Sequence, residues 1–93
     1  MIIETSKAKN KRFVAIFKDG KKVNFGLKNP KIGTYIDHKD KIIRKNYRAR
    51  HDVNEKKFYN NPKKPATLSR FILWGEATNL KDAIKDYERK FKV

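Results

Sequence analysis

Alternating apolar and polar positions near the N terminus predict a β-hairpin. Residues 12–18 and 21–27 are rich in Phe, Val and Ile, and Asp19-Gly20 lies between them. A three-residue loop closed by a glycine bulge would place Phe13 opposite Phe25, whereas a two-residue loop would shift the pairing by one residue and turn the other side chains inward. We favour the three-residue loop because it gathers the aromatic side chains on one face.

Helical spacing begins after a turn region at Asn29-Pro30 and Gly33. Thr34 and Asp37 have the form of a capping box, in which side chains satisfy the first free amides of a helix. The spacing predicts one continuous helix from there to about Arg50. Its buried stripe would consist of Ile36, Ile43 and Tyr47, with Tyr35 and Ile42 beside it.

Two further helices follow a polar connection that spans residues 51–64. Pro65 suits the first turn of a short second helix, and Gly75 suits its C-terminal end. Thr78-Asn79 then opens a third helix with regularly spaced apolar residues. These are Leu80, Ala83, Ile84, Tyr87 and Phe91.

The order of predicted elements indicates an α+β fold, with an N-terminal β-hairpin packed against three helices. A chain of 93 residues is expected to form one domain, which we assign to residues 12–93. Residues 1–11 form a basic N-terminal segment that is either a flexible arm or a loop leading into the first strand. An extra strand near Ile2 or Ile32 would complete a small sheet.

Charge adds the strongest functional signal. The chain has 25 Lys and Arg against 10 Asp and Glu, a net charge of +15, and most of the excess lies in residues 1–64. Such a charge favours a polyanionic partner. The chain has no cysteine, no apolar stretch of membrane-spanning length and no signal-peptide pattern at its start. We therefore expect an intracellular protein without a membrane partner.

Four cations of the first predicted helix are the main binding candidates: Lys41, Arg44, Lys45 and Arg48. At spacings of three and four they would form one face that contacts phosphates, although a merely solvated helix face is the alternative. The remaining candidates are Arg50, Lys7, Lys9, Lys11, Arg12, Lys18, Lys21, Lys22, Lys63 and Lys64. No pattern of Asn or Gln favours base readout, so binding should be independent of sequence.

Two other chemistries are weighed against this. Aromatic residues of the hairpin could stack on single strands, but a small chain needs them for its core. Asp37, His38, Asp40, His51 and Asp52 are residue types that bind metals in nucleases. A continuous helix would separate the two histidines by about 20 Å, so we predict neither catalysis nor a cofactor.

Motifs spread over residues 12–92 resemble a family of short basic proteins of unassigned function encoded by nucleocytoplasmic large DNA viruses, the giant viruses. The matching residues are Phe25-Gly26, Thr34-Tyr35, His38-Lys39-Asp40, Arg44, Tyr47, Arg50-His51, Asn60, Pro62, Leu68-Ser69-Arg70, Ile72-Leu73-Trp74, Leu80, Ala83-Ile84, Asp86-Tyr87, Arg89 and Phe91. The segment around Phe58 lacks the Trp of the family. The resemblance implies a viral protein that acts in the nucleus or a cytoplasmic viral factory of the host cell, and in the virion. It implies no catalytic or binding residues.

The leading hypothesis is therefore sequence-independent binding of nucleic acid, double-stranded DNA above all, with genome condensation or packaging as its purpose. Charge alone admits RNA as well. The alternative is an interaction or scaffold protein whose basic face docks on an acidic partner or an RNA-protein assembly, and a metal-dependent nuclease is a third hypothesis. A homo-oligomer would form if the last helix exposes Tyr87 and Phe91 at an edge.

Overall fold

The computed structural model describes residues 1–28 and 31–93, and the turn that we predict at Asn29-Pro30 lies outside them. The expected α+β fold is confirmed: a three-stranded antiparallel sheet is followed by helices. The strands are β1 (Ile2–Thr5), β2 (Lys11–Ile16) and β3 (Lys22–Leu27). The helices are α1 (Tyr35–His38), α2 (Lys41–Glu55), α3 (Pro65–Leu68) and α4 (Leu80–Phe91), with a 3-10 turn at Lys56–Phe58 and a π-helix at Ser69–Leu73.

The hairpin has the predicted register. Phe13 lies opposite Phe25 and Ala15 lies opposite Val23, as the three-residue loop requires. The loop is possible because Gly20 adopts φ +88°, a left-handed conformation that costs glycine little. The sheet therefore directs Ala15 and Phe25, both fully buried, toward the helices.

A third strand extends the sheet into the segment that we set apart as residues 1–11. Ile3 pairs with Ala15, so β1 runs antiparallel to β2 and forms an edge of the sheet. Ser6 is buried, and its hydroxyl donates a hydrogen bond to Asn24 at 2.5 Å. We expected the basic run either as a flexible arm or as a loop, and it forms a loop that leads into β2. The extra strand lies at Ile2, not at Ile32.

The single helix that we predict from Thr34 to about Arg50 is wrong. The Thr34–Asp37 capping box is present, but α1 ends at once because Lys39 adopts φ +59°. The Asp40 side chain then accepts hydrogen bonds from the Ile42 and Ile43 amides and starts α2 as a new helix. This second helix continues beyond Arg50 to Glu55, into the predicted connection.

The predicted second helix divides into α3 and the π-helix. Pro65 occupies the first turn as expected, but the Trp74 amide donates to the Ser69 carbonyl at 3.1 Å, one residue farther back than in an α-helix. A Cβ on Gly75 would lie 2.3 Å from the Phe71 carbonyl oxygen. Gly75 is thus required by close backbone approach at the end of this segment.

The core lies between the sheet, the π-helix and α4. Its largest fully buried side chains are Tyr87, Phe25, Leu68, Ile72, Leu73 and Thr67. Phe17 is also buried and Phe13 packs against the core, which confirms the core interpretation of the hairpin aromatics. By contrast, α2 contains no fully buried residue. It is anchored by Tyr47, whose ring stacks on Trp74 at 4.0 Å, whereas Ile42 is 72% exposed.

Candidate functional site

Arg44 and Arg48 of the predicted cationic stripe turn toward the protein instead of the solvent. Arg48 donates from Nε and Nη2 to the Trp74 carbonyl at 3.1 and 2.9 Å, and Arg44 donates to the Gly75 carbonyl at 3.0 Å. Both guanidinium groups also pair with the carboxylate of Glu76. They therefore satisfy carbonyl groups at the end of the π-helix segment and fix α2 to it.

Arg70 extends this group of guanidinium side chains. Its Nε lies 3.1 Å from Asp52 Oδ1, which also accepts a hydrogen bond from the Tyr59 hydroxyl. Burial alone would raise the pKa of Asp52, but the hydrogen bonds from Tyr59 and Arg70 outweigh it and lower that pKa. Burial and the adjacent charge of Arg70 lower the pKa of Arg48. We call Arg44, Arg48 and Arg70 the arginine cluster.

A cavity of about 290 Å³ opens beside the arginine cluster. Arg48, Arg70 and Lys90 supply positive charge to its lining, and Glu76 and Asp86 supply negative charge. The remaining walls are Phe71, Gly75 and Tyr87. The cavity thus combines aromatic surface with guanidinium and ammonium groups.

Arg12 also forms an ion pair within the protein, with Asp37. Its two terminal nitrogens lie 2.8 Å from the two carboxylate oxygens of Asp37, a bidentate geometry that joins β2 to α1. The hydrogen bonds from Arg12 hold the pKa of Asp37 well below its usual range, with further help from Thr34. The pair ties the sheet to the capping box of α1.

The lysines behave differently from the arginines. Every lysine except Lys63 is exposed, and within the described residues Lys63 alone among the lysines forms an ion pair, with Asp19. The exposed set includes the predicted candidates Lys7, Lys9, Lys11, Lys18, Lys21, Lys22, Lys41, Lys45 and Lys64. The remaining candidate, Arg50, is exposed and has no ion pair among the described residues. The excess positive charge therefore lies on flexible ammonium groups at the surface.

Lysines from two distant segments meet at the hairpin loop. The Lys63 ammonium group pairs with Asp19 and lies 5.5 Å from the Phe17 ring centroid. Beside it, the ammonium groups of Lys57 and Lys64 lie 5.2 and 5.8 Å from the centroid of Phe58. We call this surface the tip patch. It consists of Lys18, Lys21, Lys57, Lys63 and Lys64, with Phe58 partly exposed among them.

The predicted face of Lys41, Arg44, Lys45 and Arg48 is therefore split. The two lysines are exposed, while the Arg44 and Arg48 side chains are 13% and 22% exposed and hydrogen-bonded to the protein. The four residues do lie on one helix, as the spacing predicts, but Arg44 and Arg48 contact the π-helix segment and its end at Trp74 and Gly75. As a surface for an external partner, α2 offers Lys41, Lys45 and Arg50.

The residues weighed as metal ligands have other partners. Asp37 binds Arg12, Asp40 begins α2, and Asp52 accepts hydrogen bonds from Tyr59 and Arg70. The His38 Nδ1 accepts from the Asp40 amide at 2.9 Å, and its ring packs against Trp74. In the parts of the chain that the structure describes, no three His, Asp or Glu side chains converge as a metal site would require.

Three residues of these surfaces were missed by the sequence analysis. Lys57 belongs to the tip patch, and Arg70 and Lys90 line the cavity. The sequence Lys56-Lys57-Phe58, two lysines next to an aromatic residue, could have indicated that Lys57 belongs to a basic surface. Nothing local marks Arg70 or Lys90, because their proximity to Arg48 depends on how three separate segments pack.

No helix in the described residues is long and apolar enough to cross a membrane.

Comparisons with known proteins place the chain in a family without assigning an activity. No curated protein and no solved structure matches the chain. A family model matches residues 1–51, which contain the sheet, α1 and the first part of α2. Because this match covers more than half of the sequence, the chain belongs to that family, which is described as a family of unknown function (DUF5754).

Proposed function

We propose that this protein binds double-stranded DNA through its phosphates, without preference for base sequence, and that exposed lysines make the contacts. The separate use of the two basic residue types carries the proposal. Most arginines are engaged by carboxylates or carbonyl groups, whereas the lysines are exposed and almost all without acidic partners in the described residues. A lysine without an internal partner can exchange its counterion for a phosphate, and the released counterions favour binding.

The tip patch is the part of this surface with the best-defined contacts. Its single carboxylate, Asp19, already pairs with Lys63, and the hydrogen bond from Lys63 lowers the pKa of Asp19. Asp19 therefore stays charged and offsets about one of the patch's positive charges. The other four lysines remain available to a polyanion. Their side chains are long and flexible, which suits phosphate contacts that need no fixed base geometry.

Lys41, Lys45 and Arg50 add a second cationic surface on α2. The aromatic residues of the sheet support backbone recognition over base stacking, since Phe17 and Phe25 are buried in the core. Phe58 is the partly exposed aromatic of the tip patch, but ammonium groups of two lysines already lie near its ring. These features favour a duplex, whose bases are stacked internally, over a single strand.

The resemblance to proteins of giant viruses would give this binding a setting. A large viral genome must be condensed or packaged, and a protein that contacts phosphates at any sequence can cover it. Under that proposal the protein acts in the nucleus or viral factory of an infected cell and in the virion.

The decisive measurement is the salt dependence of binding to unrelated DNA duplexes, followed by fluorescence anisotropy. If the four available lysines of the tip patch contact phosphates, log affinity should fall against log salt concentration with a slope of about −3.6. Duplexes of different sequence should give the same affinity within about twofold. A flat salt response contradicts phosphate binding, and strong selection among duplexes contradicts sequence independence.

Paired substitutions then locate the surface. Lys57→Ala with Lys64→Ala should reduce the slope by about 2, while Lys81→Ala with Lys85→Ala makes the same charge change on exposed positions of α4. Equal losses in the two variants would mean diffuse attraction without a defined site. A loss confined to Lys41→Ala with Lys45→Ala would move the site to α2. Tight binding to an acidic protein with weak DNA binding would favour a scaffold function.

A further inference from the structure

Several guanidinium nitrogens beside the cavity form no hydrogen bond with the described residues. The bonds of Arg48 involve Nε and Nη2, and the bond of Arg70 to Asp52 involves Nε. Within the described residues, His38 Nε2 is the one buried side-chain nitrogen or oxygen without a partner. The remaining guanidinium nitrogens of Arg48 and Arg70 are therefore accessible to solvent, and both side chains line the cavity.

The depth of the charges also differs. The Arg48 and Arg70 side chains are 22% and 14% exposed, whereas the side chain of Glu76 is 77% exposed. Glu76 is thus held only at the outside, by Arg44 and Arg48. Lys90 adds a flexible cation whose ammonium group lies 4.9 Å from the Phe71 ring centroid. The guanidinium groups are thus the more deeply buried charges of the lining. The second carboxylate of the lining, Asp86, is 48% exposed and pairs with Arg89.

We propose that this cavity binds a phosphate monoester, with Arg48 and Arg70 donating to the phosphate oxygens and Lys90 closing over it. The forked donors of arginine match a tetrahedral oxyanion and can bind it through two nitrogens at once. The inference goes beyond the proposed function, since the tip patch and this cavity consist of different residues. It holds whether or not the lysines bind duplex DNA.

The size and walls of the cavity define the ligand further. A volume of about 290 Å³ lies at the small end of ligand pockets and has room for a phosphate together with part of the group that carries it. Phe71 and Tyr87 offer aromatic surface to that group. A phosphate monoester carries close to two negative charges at neutral pH, so it matches two guanidinium groups better than a carboxylate does. The monoester has two sources: a free nucleotide or the phosphorylated end of a nucleic-acid strand.

The test uses the complete chain with adenosine 5′-monophosphate, and with adenosine as the ligand that lacks phosphate. Isothermal titration at constant ionic strength should give a one-to-one complex with the nucleotide and none with adenosine. Lys90→Ala should weaken this complex about tenfold, the equivalent of about 1.4 kcal/mol. Lys81→Ala removes the same charge from an exposed position on the same helix and should change the affinity by less than about twofold.

Glu76→Gln tests whether the arginines bind the nucleotide. If they had only a structural role, this change would not strengthen nucleotide binding. Removing the competing carboxylate should strengthen nucleotide binding about threefold or more, even if the variant is less stable. A melting curve of each variant with and without nucleotide shows that it is folded. Unchanged or weaker binding by a folded Glu76→Gln variant would overturn the assignment of Glu76 as a competitor in the cavity.

Oligonucleotides with and without a 5′-phosphate distinguish the two sources. Tighter binding of the phosphorylated strand indicates a strand end, whereas equal binding of both strands, with the free nucleotide still bound, indicates a small phosphorylated molecule. No difference between the nucleotide and adenosine would overturn the proposal. So would equal weakening by Lys90→Ala and Lys81→Ala, because the attraction would then be diffuse.

Discussion

The arginine cluster and the tip patch use positive charge in opposite ways. In the arginine cluster, the planar side chains of Arg44 and Arg48 donate to carbonyl groups and hold α2 on the π-helix segment. In the tip patch, Lys63 pairs with Asp19 of the hairpin loop, and the other lysines have no acidic partner among the described residues. Arginine has several donors in a fixed arrangement, whereas lysine is a strongly hydrated point charge on a flexible stem.

The basic residues therefore have two roles: arginines stabilise the fold, and lysines are available for binding. Composition alone shows only an excess of positive charge. The arginine cluster should tolerate substitution poorly because its side chains satisfy backbone groups. The tip patch should tolerate substitution well because its side chains face water. We therefore expect substitutions in the two regions to differ in their effect on the free energy of unfolding.

Replacing a glycine by alanine in each region should give the largest contrast. Gly75→Ala would bring a Cβ to 2.3 Å from the Phe71 carbonyl oxygen, so we expect a loss of about 3 kcal/mol. Gly20→Ala meets no atom within 4 Å at the hairpin loop, and its positive φ alone should cost about 1 kcal/mol. Urea denaturation measures both values. Equal losses would mean that the π-helix segment can move away from the new methyl group.

Removing a single cation from either face of α2 is the second test. Arg48→Ala leaves the Trp74 carbonyl without its two hydrogen bonds, and should destabilise the protein by about 2 kcal/mol. Lys45→Ala removes an exposed charge from the same helix and should cost less than about 0.5 kcal/mol. Chemical denaturation of the two variants decides this. Similar small losses would show that the arginine is not holding the segment.

Acid should weaken the Arg12–Asp37 ion pair with a larger loss of stability than it causes in the tip patch. The pKa of Asp37 is lowered in the folded state, so its stabilisation is present at pH 7 and is lost as pH falls below its unfolded value of about 3.9. Asp37→Asn should cost about 1 kcal/mol at pH 7 and roughly half of that at pH 2.5, because Asp37 is still ionised in the folded protein at that pH. Asp19→Asn should give no resolvable change at either pH, because Asp19 is exposed. Stability curves across this range test the difference.

Substitutions in the tip patch should have the smallest effect on stability. Lys57→Ala with Lys64→Ala should change the free energy of unfolding by no more than about 0.5 kcal/mol, while it reduces the salt dependence of DNA binding. Parallel denaturation and anisotropy measurements on one protein preparation check both properties. A large loss of stability would mean that the contacts of these lysines with Phe58 are structural.

Local patterns were sufficient for several elements. The Asp19-Gly20 loop and the alternation around it predicted the register that pairs Phe13 with Phe25, because turn geometry and side-chain period act over a few residues. The start of α4 at Asn79 and its apolar spacing were equally local signals. The break between α1 and α2 was missed, since Lys39 in a left-handed conformation leaves no mark in the apolar spacing.

By itself, the sequence determined the fold class, the hairpin register, the last helix and the excess of positive charge. Only the tertiary structure decided which cations are available to a partner. Arg44 and Arg48 bind the carbonyl groups of Gly75 and Trp74. Lys63 pairs with Asp19 of the hairpin loop, and Lys57 and Lys64 lie beside Phe58. The physical reason is that periodicity specifies the face of a helix on which a residue lies, while packing of distant segments decides what that face meets.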